Sequence, residues 1–257
     1  MFGLFRKNRK PEAPTQVIWH KPAGEYYAIS GKVLDAEHSL IAGATGCGKS
    51  TFLHSVMHSA LTRWSPAEAQ FVLLDPKVVE LNRYKDLPHT IRYECEDEGM
   101  LSALNEVISI RAARYQIMGS QGLTTWNGAR LYVVIEELAD LLCSPDKVKF
   151  KVAIQRIGQK GRAAGIHLIL LTQAPSRKIL SAEILLNITA RFGLVCDSAI
   201  ESKQVIGQSG CELLPAHGVC IYKYRRECRP YNLPFMTAEE VQPLINYWMS
   251  SESRTYA

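Results

Sequence analysis

The sequence lacks three features that mark membrane or secreted proteins: a long hydrophobic segment, a signal peptide and paired cysteines. No apolar run among the 257 residues approaches the roughly 20 residues that span a bilayer. The amino-terminal stretch MFGLFRKNRKPEAP has a short apolar tip and basic residues, but it has neither the apolar core nor the cleavage site of a secretory signal. We therefore expect no membrane span, and a leader that is disordered or contacts a membrane surface or DNA.

Cysteine spacing also argues against a disulfide framework and against a zinc site. The seven cysteines lie at positions 47, 95, 143, 196, 211, 220 and 228. Their number is odd, and no two of them form a C-x-x-C pair. The sequence therefore predicts reduced thiols in a cytoplasmic protein.

The composition predicts a folded protein with a substantial core. Apolar residues make up 47% of the chain, and the net charge of +5 permits a polyanionic partner without requiring one. We expect a basic leader and the start of a hairpin (1–28), one main domain (29–235), and a carboxyl-terminal helix and tail (236–257). The hairpin is predicted over residues 17–33, because VIWHKPAGEYYAISGKV joins aromatic and β-branched residues to a Pro-Ala-Gly turn.

From His38 onward, short apolar runs alternate with stretches of helical period. Strands are predicted at 39–43, 70–75, 131–136, 166–172, 190–196 and 218–224, and helices at 49–63, 99–118, 146–164 and 198–207. A last helix is predicted in TAEEVQPLINYWMS, which begins with a Thr-x-x-Glu capping box. Several strands are almost continuously apolar, as in sheets that helices cover on both faces. The sequence thus predicts an α/β fold with a mainly parallel central sheet flanked by helices.

The first buried strand runs directly into GATGCGKST, which matches the G-x-x-x-x-G-K-[ST] pattern of a phosphate-binding loop. Its glycines let backbone N–H groups curl around an anion, and the helix that follows points its amino terminus at the phosphates. Lys49 is predicted to reach the outer phosphates, and Ser50 to coordinate Mg²⁺. The residues expected to hold the nucleotide are Gly43, Thr45, Gly46, Cys47, Gly48, Lys49, Ser50 and Thr51.

Two adjacent glutamates end the buried strand LYVVI. A nucleotide hydrolase needs one carboxylate for Mg²⁺ and one that orients or deprotonates the attacking water. Glu136 and Glu137 suit these two tasks in that order, because ligands bind at the carboxyl ends of strands in such sheets. Gln173 follows the next strand, where an amide can sense the γ-phosphate. The alternative interpretation is a pair of surface glutamates and an ordinary strand-end cap.

These motifs, with three others, resemble the motor domain of FtsK/SpoIIIE DNA translocases, which are RecA-like P-loop ATPases. The resemblance covers roughly residues 36–235 and rests on five segments in the same order and spacing. They are HSLIAGATGCGKST, LLDPKVVEL, VVIEELADLL, QKGRAAGIHLILLTQAPS and SAIESKQVIGQSGCELL. The resemblance implies ATP hydrolysis with Mg²⁺ in a homohexameric ring around double-stranded DNA, with nucleotide bound between subunits.

The family's roles carry over to matching residues of this chain. Glu137 matches the catalytic glutamate, Gln173 the sensor glutamine, and Arg162 the arginine that reaches into a neighbouring subunit's site. An arginine supplied in this way offsets charge in the transition state. The other interpretation of Arg162 is a helix-terminal cation favoured by the helix dipole.

The chain departs from the family pattern in two places. Glu136 stands where the family has aspartate, and its extra methylene requires a shifted backbone or a different bridging water for contact with Mg²⁺. Ala174 stands where the family has arginine, in a loop that faces the DNA. Arg177 and Lys178 follow closely and are predicted to contact DNA phosphates without reading sequence; the alternative is a solvated loop.

The resemblance also predicts a short motor without the family's membrane, linker and winged-helix parts, of the kind that mobile elements, plasmids or phages encode. Such a motor is expected to need an element-encoded partner protein that specifies the DNA. Three alternatives stay open: a conjugative coupling protein, a secretion-type ATPase that binds no DNA, and a weakly active nucleotide-binding assembly module.

Overall fold

A computed structural model describes residues 23–250 of the chain. Its centre is one eight-stranded sheet. The strands are β1 (His38–Ala42), β2 (Ala69–Leu74), β3 (Thr90–Glu94), β4 (Arg130–Ile135), β5 (Ile166–Thr172), β6 (Ala190–Gly193), β7 (Val219–Tyr224) and β8 (Glu227–Asn232). Their spatial order is β3-β2-β4-β5-β1-β6-β7-β8. The first six strands in this order run parallel, and β7 and β8 form an antiparallel hairpin at one side.

Eight α-helices lie around this sheet within the described residues. They are α1 (Ala23–Asp35), α2 (Lys49–Arg63), α3 (Asp97–Gln121), α4 (Leu138–Cys143), α5 (Lys147–Lys160), α6 (Ala182–Leu185), α7 (Ala199–Ile206) and α8 (Ala238–Met249). The α/β class and the mainly parallel sheet predicted from the sequence are therefore confirmed. No helix in this part of the chain has the length and apolar character that a bilayer span requires.

The core consists of two apolar layers, one on each face of the sheet. Alternate residues of β4 belong to different layers. Tyr132 and Val134 lie in the layer covered by α1, α2 and α8. Val133 and Ile135 lie in the layer covered by α3, α4, α5 and α7. Both sets are fully buried. This arrangement explains why the central strands β1, β2, β4 and β5 are apolar without alternation, since helices cover both of their faces.

The predicted hairpin over residues 17–33 is wrong where the structure describes it. Residues 23–35 form α1 instead, and residues 17–22 lie outside the described part of the chain. Ile29, Ser30, Val33 and Leu34 are buried, whereas Gly31 and Lys32 between them are less so, and this pattern of adjacent pairs four residues apart is helical and does not alternate as a strand would. Ser30 Oγ lies 2.5 Å from Ser55 Oγ of α2 and ties the two helices together. The expected basic leader also falls outside the described residues.

The other element predictions differ from the structure mainly at boundaries and in short elements. The helix expected at 146–164 ends as α5 at Lys160, and a 3₁₀ turn (Arg162–Ala164) follows before β5. The predicted capping box is present, because Thr237 Oγ1 accepts from Glu240 N–H and the Glu240 side chain accepts from Thr237 N–H. The sequence reading missed β3, β8, α4 and α6.

Candidate nucleotide-binding and hydrolysis site

The phosphate-binding loop lies between β1 and α2, as predicted. Gly43 packs so closely that a Cβ there would lie 2.8 Å from Leu194 Cβ and 2.9 Å from the carbonyl oxygen of Val195. Gly46 and Gly48 have φ values of 75° and 96°, in the left-handed region that glycine adopts without steric cost. The pattern of glycines is thus explained by tight packing at the first position and by backbone conformation at the other two.

Lys49 begins α2 and is 7% exposed. Its ammonium donates to the carbonyl oxygens of Gly43 at 2.8 Å and Ala44 at 2.6 Å, and it lies 3.7 Å from Cys47 Sγ. Burial lowers the pKa of Lys49, while Cys47 and Glu137 act in the opposite direction. The loop therefore holds one buried cation at the amino terminus of a 15-residue helix, which is a suitable place for a phosphate.

Glu137 is almost completely buried at the start of α4, with 3% exposure. Its Oε1 accepts from Thr172 Oγ1 at 2.8 Å and from the backbone N–H of Ala139 at 3.1 Å. The backbone N–H of Gln173 lies 3.1 Å from Oε2. These contacts fix the carboxylate between the ends of β4 and β5. A surface glutamate would not be held in this way, so Glu137 does not fit the alternative interpretation as an ordinary surface glutamate.

Gln173 joins the same cluster from the end of β5. Its side-chain oxygen accepts a hydrogen bond of 2.8 Å from Thr45 Oγ1 in the phosphate-binding loop, while its backbone contacts Glu137. Gln173 therefore connects the loop to the buried glutamate.

Glu136 is 8% exposed, and its Oε2 is buried without a hydrogen-bond partner among the described residues. Burial, with the neighbouring carboxylates of Asp75, Glu137 and Glu80, raises the pKa of Glu136 to about 7 against the opposing effect of Lys77. An orphaned acidic oxygen at this position is what a cation would satisfy.

Asp75 was missed by the sequence reading. It follows β2 and is fully buried; Oδ2 accepts from the N–H groups of Leu81 and Asn82, whereas Oδ1 has no partner among the described residues. The sequence does contain a signal for this residue: an aspartate at the end of an apolar strand, in an Asp-Pro-Lys turn.

Ser50 is positioned by a polar network behind the loop. Its side chain is close enough to Glu80 to help lower the pKa of that carboxyl. Glu80 Oε2 lies 3.1 Å from His54 Nε2, and His54 Nδ1 lies 2.8 Å from the hydroxyl of Tyr84. The hydrogen bond to His54 is the main cause of a lowered pKa of Glu80. The donor set of Ser50, Glu136 and Asp75 consists of oxygen atoms and fits Mg²⁺.

No group of three or more His, Cys, Asp or Glu side chains within residues 23–250 is arranged to hold a metal ion alone.

Lys77 is a second residue that the sequence reading missed. Its ammonium lies 3.5 Å from Glu137 Oε2 and 3.8 Å from Asp140 Oδ2, and its side chain is 38% exposed. Lys77 is thus a partly exposed cation next to Oε2 of the buried Glu137 carboxylate. The Asp75 contacts fix the turn that carries it, so its position is defined by the fold.

Arg162 lies at the opposite edge of the sheet from the residues above. It precedes β5, whereas the phosphate-binding loop follows β1, and the two parallel strands pair Ala42 with Thr172 at their carboxyl ends. A strand of seven residues separates the two edges by roughly 20 Å. The Arg162 side chain is 72% exposed and pairs with Glu37 at 2.6 Å. Arg162 therefore does not join the site of its own chain.

Arg177 and Lys178 are exposed in the loop between β5 and α6. The loop is folded back on itself, because Leu180 N–H donates to Ser176 O at 2.8 Å. This position is at the same edge of the sheet as Gln173. Arg191 is structural, since its guanidinium donates to the carbonyl oxygens of Ile188, Val205 and Leu185.

The sequence also matches a known protein family. The sequence model of the FtsK/SpoIIIE family matches residues 7–130 and 124–177, which is more than half of the chain. The chain belongs to the FtsK/SpoIIIE family. Its fold and its loop are those of a P-loop ATPase domain of this family, so the predicted family and ATPase class are confirmed.

Curated relatives agree with this assignment. The DNA translocase FtsK of Caldanaerobacter subterraneus is 33% identical over 247 residues, which cover 89% of this chain and 35% of that protein. The DNA translocase FtsK of Staphylococcus epidermidis is 32% identical over 250 residues, which cover 89% of this chain and 31% of that protein. This FtsK/SpoIIIE chain thus spans about a third of the length of the curated relatives it matches.

Solved structures show the same fold at lower identity. The pCW3 conjugation coupling protein TcpA, solved with ATPγS, has a TM-score of 0.74 at 20% identity and covers 84% of this chain and 66% of its own. The type VII secretion ATPase EccC of Thermomonospora curvata has a TM-score of 0.68 at 24% identity, over 79% of this chain and 26% of its own. At these identities the likeness concerns the fold alone.

Proposed function

We propose that this chain hydrolyses ATP at the junction between two copies and uses the energy to move along double-stranded DNA. The curated relatives are named as DNA translocases. The observation that carries the proposal is the separation of Arg162 from the carboxylate cluster of its own chain. An exposed arginine at the far edge of the sheet suits a site that a second copy completes.

The chemistry of the site follows from its contacts. The phosphate-binding loop and Lys49 hold the ATP phosphates, and Ser50 and Glu136, with Asp75 nearby, hold Mg²⁺. When bound, Mg²⁺ offsets the negative charge of the phosphates. Glu137 orients the attacking water and takes up its proton; Oε1 is held by Thr172 and Ala139, and Oε2 lies beside the partly exposed Lys77.

Gln173 and Arg162 complete this proposed mechanism from two different copies. Gln173 contacts both Thr45 and Glu137, so it couples the state of the nucleotide to the position of the catalytic carboxylate. Arg162 of one copy reaches the phosphates bound by the next and stabilises the charge of the transition state. Head-to-tail contacts of this kind close into a ring, and we propose the homohexamer of the family.

We propose that Arg177 and Lys178 contact the phosphates of duplex DNA. Both are exposed in a loop at the same edge as Gln173, so movement of that edge during hydrolysis reaches the loop directly. Contacts of this type bind without sequence preference, and the expected element-encoded partner protein would supply the specificity. The reduced state of all seven cysteines suits the cytoplasm as the place of action.

The test is steady-state ATP hydrolysis with and without long linear duplex DNA, with the Glu137→Gln variant alongside. We expect strong stimulation by DNA in the wild-type chain and no hydrolysis in the variant, because the amide cannot accept the proton. Hydrolysis that is indifferent to DNA would contradict translocation and would favour a secretion-type ATPase. Binding of ATP without any hydrolysis would favour an assembly module.

A further inference from the structure

We propose that Glu37 is a positioning residue for the shared site: it holds the guanidinium of Arg162 in the direction from which it enters the site of the next copy. The inference rests on the proposed hydrolysis of ATP at the junction between two copies. Both residues lie at the edge of the sheet where the parallel strands begin, here called the amino edge, and the phosphate-binding loop lies at the opposite, carboxyl edge. Glu37 follows α1 and directly precedes β1, outside the motifs of the sequence.

The backbone of Arg162 is fixed by the 3₁₀ turn in which it lies. The carbonyl oxygen of Arg162 accepts from Gly165 N–H at 3.0 Å. The preceding Gly161 packs so tightly that a Cβ there would lie 2.9 Å from the carbonyl oxygen of Ile166 in β5. The direction of the guanidinium therefore depends on the rotatable bonds of the side chain and not on movement of the turn.

The side chain of Arg162 is 72% exposed and lies between two cavities of the amino edge. One cavity, of about 480 Å³, is lined by Arg162 and Glu68, among others. The other, of about 520 Å³, is lined by Arg162, Asp35 and Glu37, among others. An arginine in such open surroundings has many rotamers available, so its direction is set by the partner that holds it.

Three of the described carboxylates line these cavities, and Glu37 is the one that holds Arg162. Nη1 of Arg162 lies 2.6 Å from Oε1 of Glu37. Asp35 instead pairs with an arginine of α2 at 2.9 Å, and Glu68 accepts from the backbone N–H and the hydroxyl of Ser65. Since the other two carboxylates are engaged elsewhere, Glu37 determines the direction of the guanidinium.

The turn that carries Glu37 is joined to β5 on both sides of this residue. The carbonyl oxygen of Ala36 lies 3.0 Å from His167 Nδ1, and a backbone N–H of β5 donates to His38 Nδ1 at 3.0 Å. The Glu37 side chain is also the less exposed of the pair, at 25%. The carboxylate is thus the fixed partner, and the arginine is the partner that it restrains.

The ion pair leaves the guanidinium able to bind phosphate. A guanidinium has five N–H donors, and the contact with Glu37 is made through Nη1. The other donors are free for the phosphate oxygens bound by the next copy. An arginine already held in one direction loses less conformational freedom when it enters that site. Glu37 therefore favours hydrolysis in the neighbouring site without touching the nucleotide.

The experiment uses two inactive variants whose defects lie at different edges. Glu137→Gln supplies an intact Arg162, and Arg162→Ala supplies an intact carboxyl edge. Hydrolysis of ATP is measured in their equimolar mixture with saturating duplex DNA, and Glu37→Gln is then added to one copy or to the other. On the copy that supplies Arg162, Glu37→Gln should lower kcat roughly threefold to fivefold, as expected for a well-formed exposed ion pair, and leave KM for ATP within about twofold. On the other copy, which has no arginine to position, it should change neither constant.

Asp35→Asn is the matched control, because it removes a nearby carboxylate that pairs with Arg63 and not with Arg162. On the copy that supplies Arg162, it should leave kcat within about twofold. Thermal unfolding of each variant checks that the fold is kept.

Three results would overturn the role of Glu37. The first is an unchanged kcat, and the second is a raised kcat, which would mean that the ion pair withholds Arg162. The third is the same loss whichever copy carries Glu37→Gln, which would indicate general damage to the fold. If the starting mixture assembles but restores no hydrolysis, the shared site itself is wrong and Glu37 has no role in it, so failure of the proposed function is distinguished from failure of this inference alone.

Discussion

The two edges of the parallel sheet differ in what they carry. At the carboxyl edge, the ends of four strands (β1, β2, β4 and β5) bring together the phosphate-binding loop, Asp75, Glu136, Glu137 and Gln173. The amino edge carries Arg162, an exposed cation that is paired with Glu37. The carboxyl edge carries the groups proposed to bind the nucleotide and activate water, and Arg162 lies on the other edge. The two surfaces cannot meet within one copy, so the proposed site needs Arg162 from a second copy.

The largest expected effect on nucleotide binding comes from removing the cation of the carboxyl edge. Lys49→Ala should weaken ATP binding by about a hundredfold, because a charge-assisted contact to phosphate is lost from a buried position. Lys147→Ala is the matched control, since that lysine is exposed at the start of α5. Calorimetric titration with ATP measures both variants. Wild-type affinity in Lys49→Ala would refute the assignment of the loop.

At the amino edge, Arg162→Ala should leave ATP binding intact and reduce hydrolysis by roughly a thousandfold or more. Arg130→Ala is the control, because Arg130 lies at the same edge but stacks over the ring of Trp64. Binding and turnover are measured on the same preparations. If Arg162→Ala hydrolysed ATP at the wild-type rate, the division of the site between two edges would be wrong.

The two edges also carry different basic loops. Arg177→Ala with Lys178→Ala should weaken DNA binding for all sequences and reduce the slope of log affinity against log salt by about 1.8. Arg225→Ala with Arg226→Ala removes the same number of charges from the β7–β8 turn at the amino edge and should have a smaller effect. Fluorescence anisotropy with a duplex oligonucleotide at several salt concentrations measures both. If the Arg177→Ala, Lys178→Ala double variant had the same salt slope as the wild type, that loop would not contact the DNA.

The ion pair between Lys77 and Glu137 at the carboxyl edge can be tested separately. Lys77→Ala should reduce kcat about tenfold, or about 1.4 kcal/mol, and leave KM for ATP nearly unchanged, since Lys77 orients Glu137 and does not touch the loop. Lys77→Arg should recover most of the activity because it restores the ion pair. If Lys77→Met were as active as Lys77→Arg, only the packing of this side chain would matter, and the ion pair with Glu137 would have no role.

A separate prediction concerns the stability of the amino edge and not its activity. Burial lowers the pKa of His38 to about 4, and the neutral ring accepts from Leu168 N–H while its other nitrogen contacts Gly158 O. The unfolded chain binds the proton near pH 6.5, so stability contributed by neutral His38 is lost as the pH falls from about 6.5 to about 4. The loss is up to about 1.4 kcal/mol per pH unit.

Urea unfolding at pH 7.5, 6 and 5 measures that loss. His38→Gln should show a shallower decline of stability toward low pH than the wild type, whatever its stability at pH 7.5. His217→Gln, at an exposed position, should follow the wild type. Identical declines in the wild type and His38→Gln would contradict the role of the neutral ring.

Sequence reasoning found the carboxyl edge because its signals are local. A buried apolar run that ends in Glu136-Glu137, and a run that enters a glycine-rich loop, each place chemistry at a strand end without knowledge of the rest of the chain. Asp75 and Lys77 were missed as site residues because their value depends on which strand neighbours β4. That β2 lies there is a fact of sheet order, and sheet order is set by non-local pairing.

The erroneous hairpin over residues 17–33 has a related cause. Aromatic and β-branched residues favour strands, but Ile29, Val33 and Leu34 are buried against α2 and the sheet. Tertiary packing therefore outweighed local preference. The short helix α4 was missed because six residues contain too few turns for a periodic signal, whereas the 3₁₀ turn at Arg162 was absorbed into the predicted helix.

The most direct test of the divided site mixes two inactive variants. Glu137→Gln has a defective carboxyl edge and an intact Arg162, and Arg162→Ala has the reverse. In an equimolar mixture, about a quarter of the junctions join two intact edges if copies associate head to tail at random. We predict that ATP hydrolysis, absent in each variant alone, returns in the mixture to a substantial fraction of the wild-type rate. A mixture as inactive as its components, with assembly demonstrated, would contradict a site shared between copies.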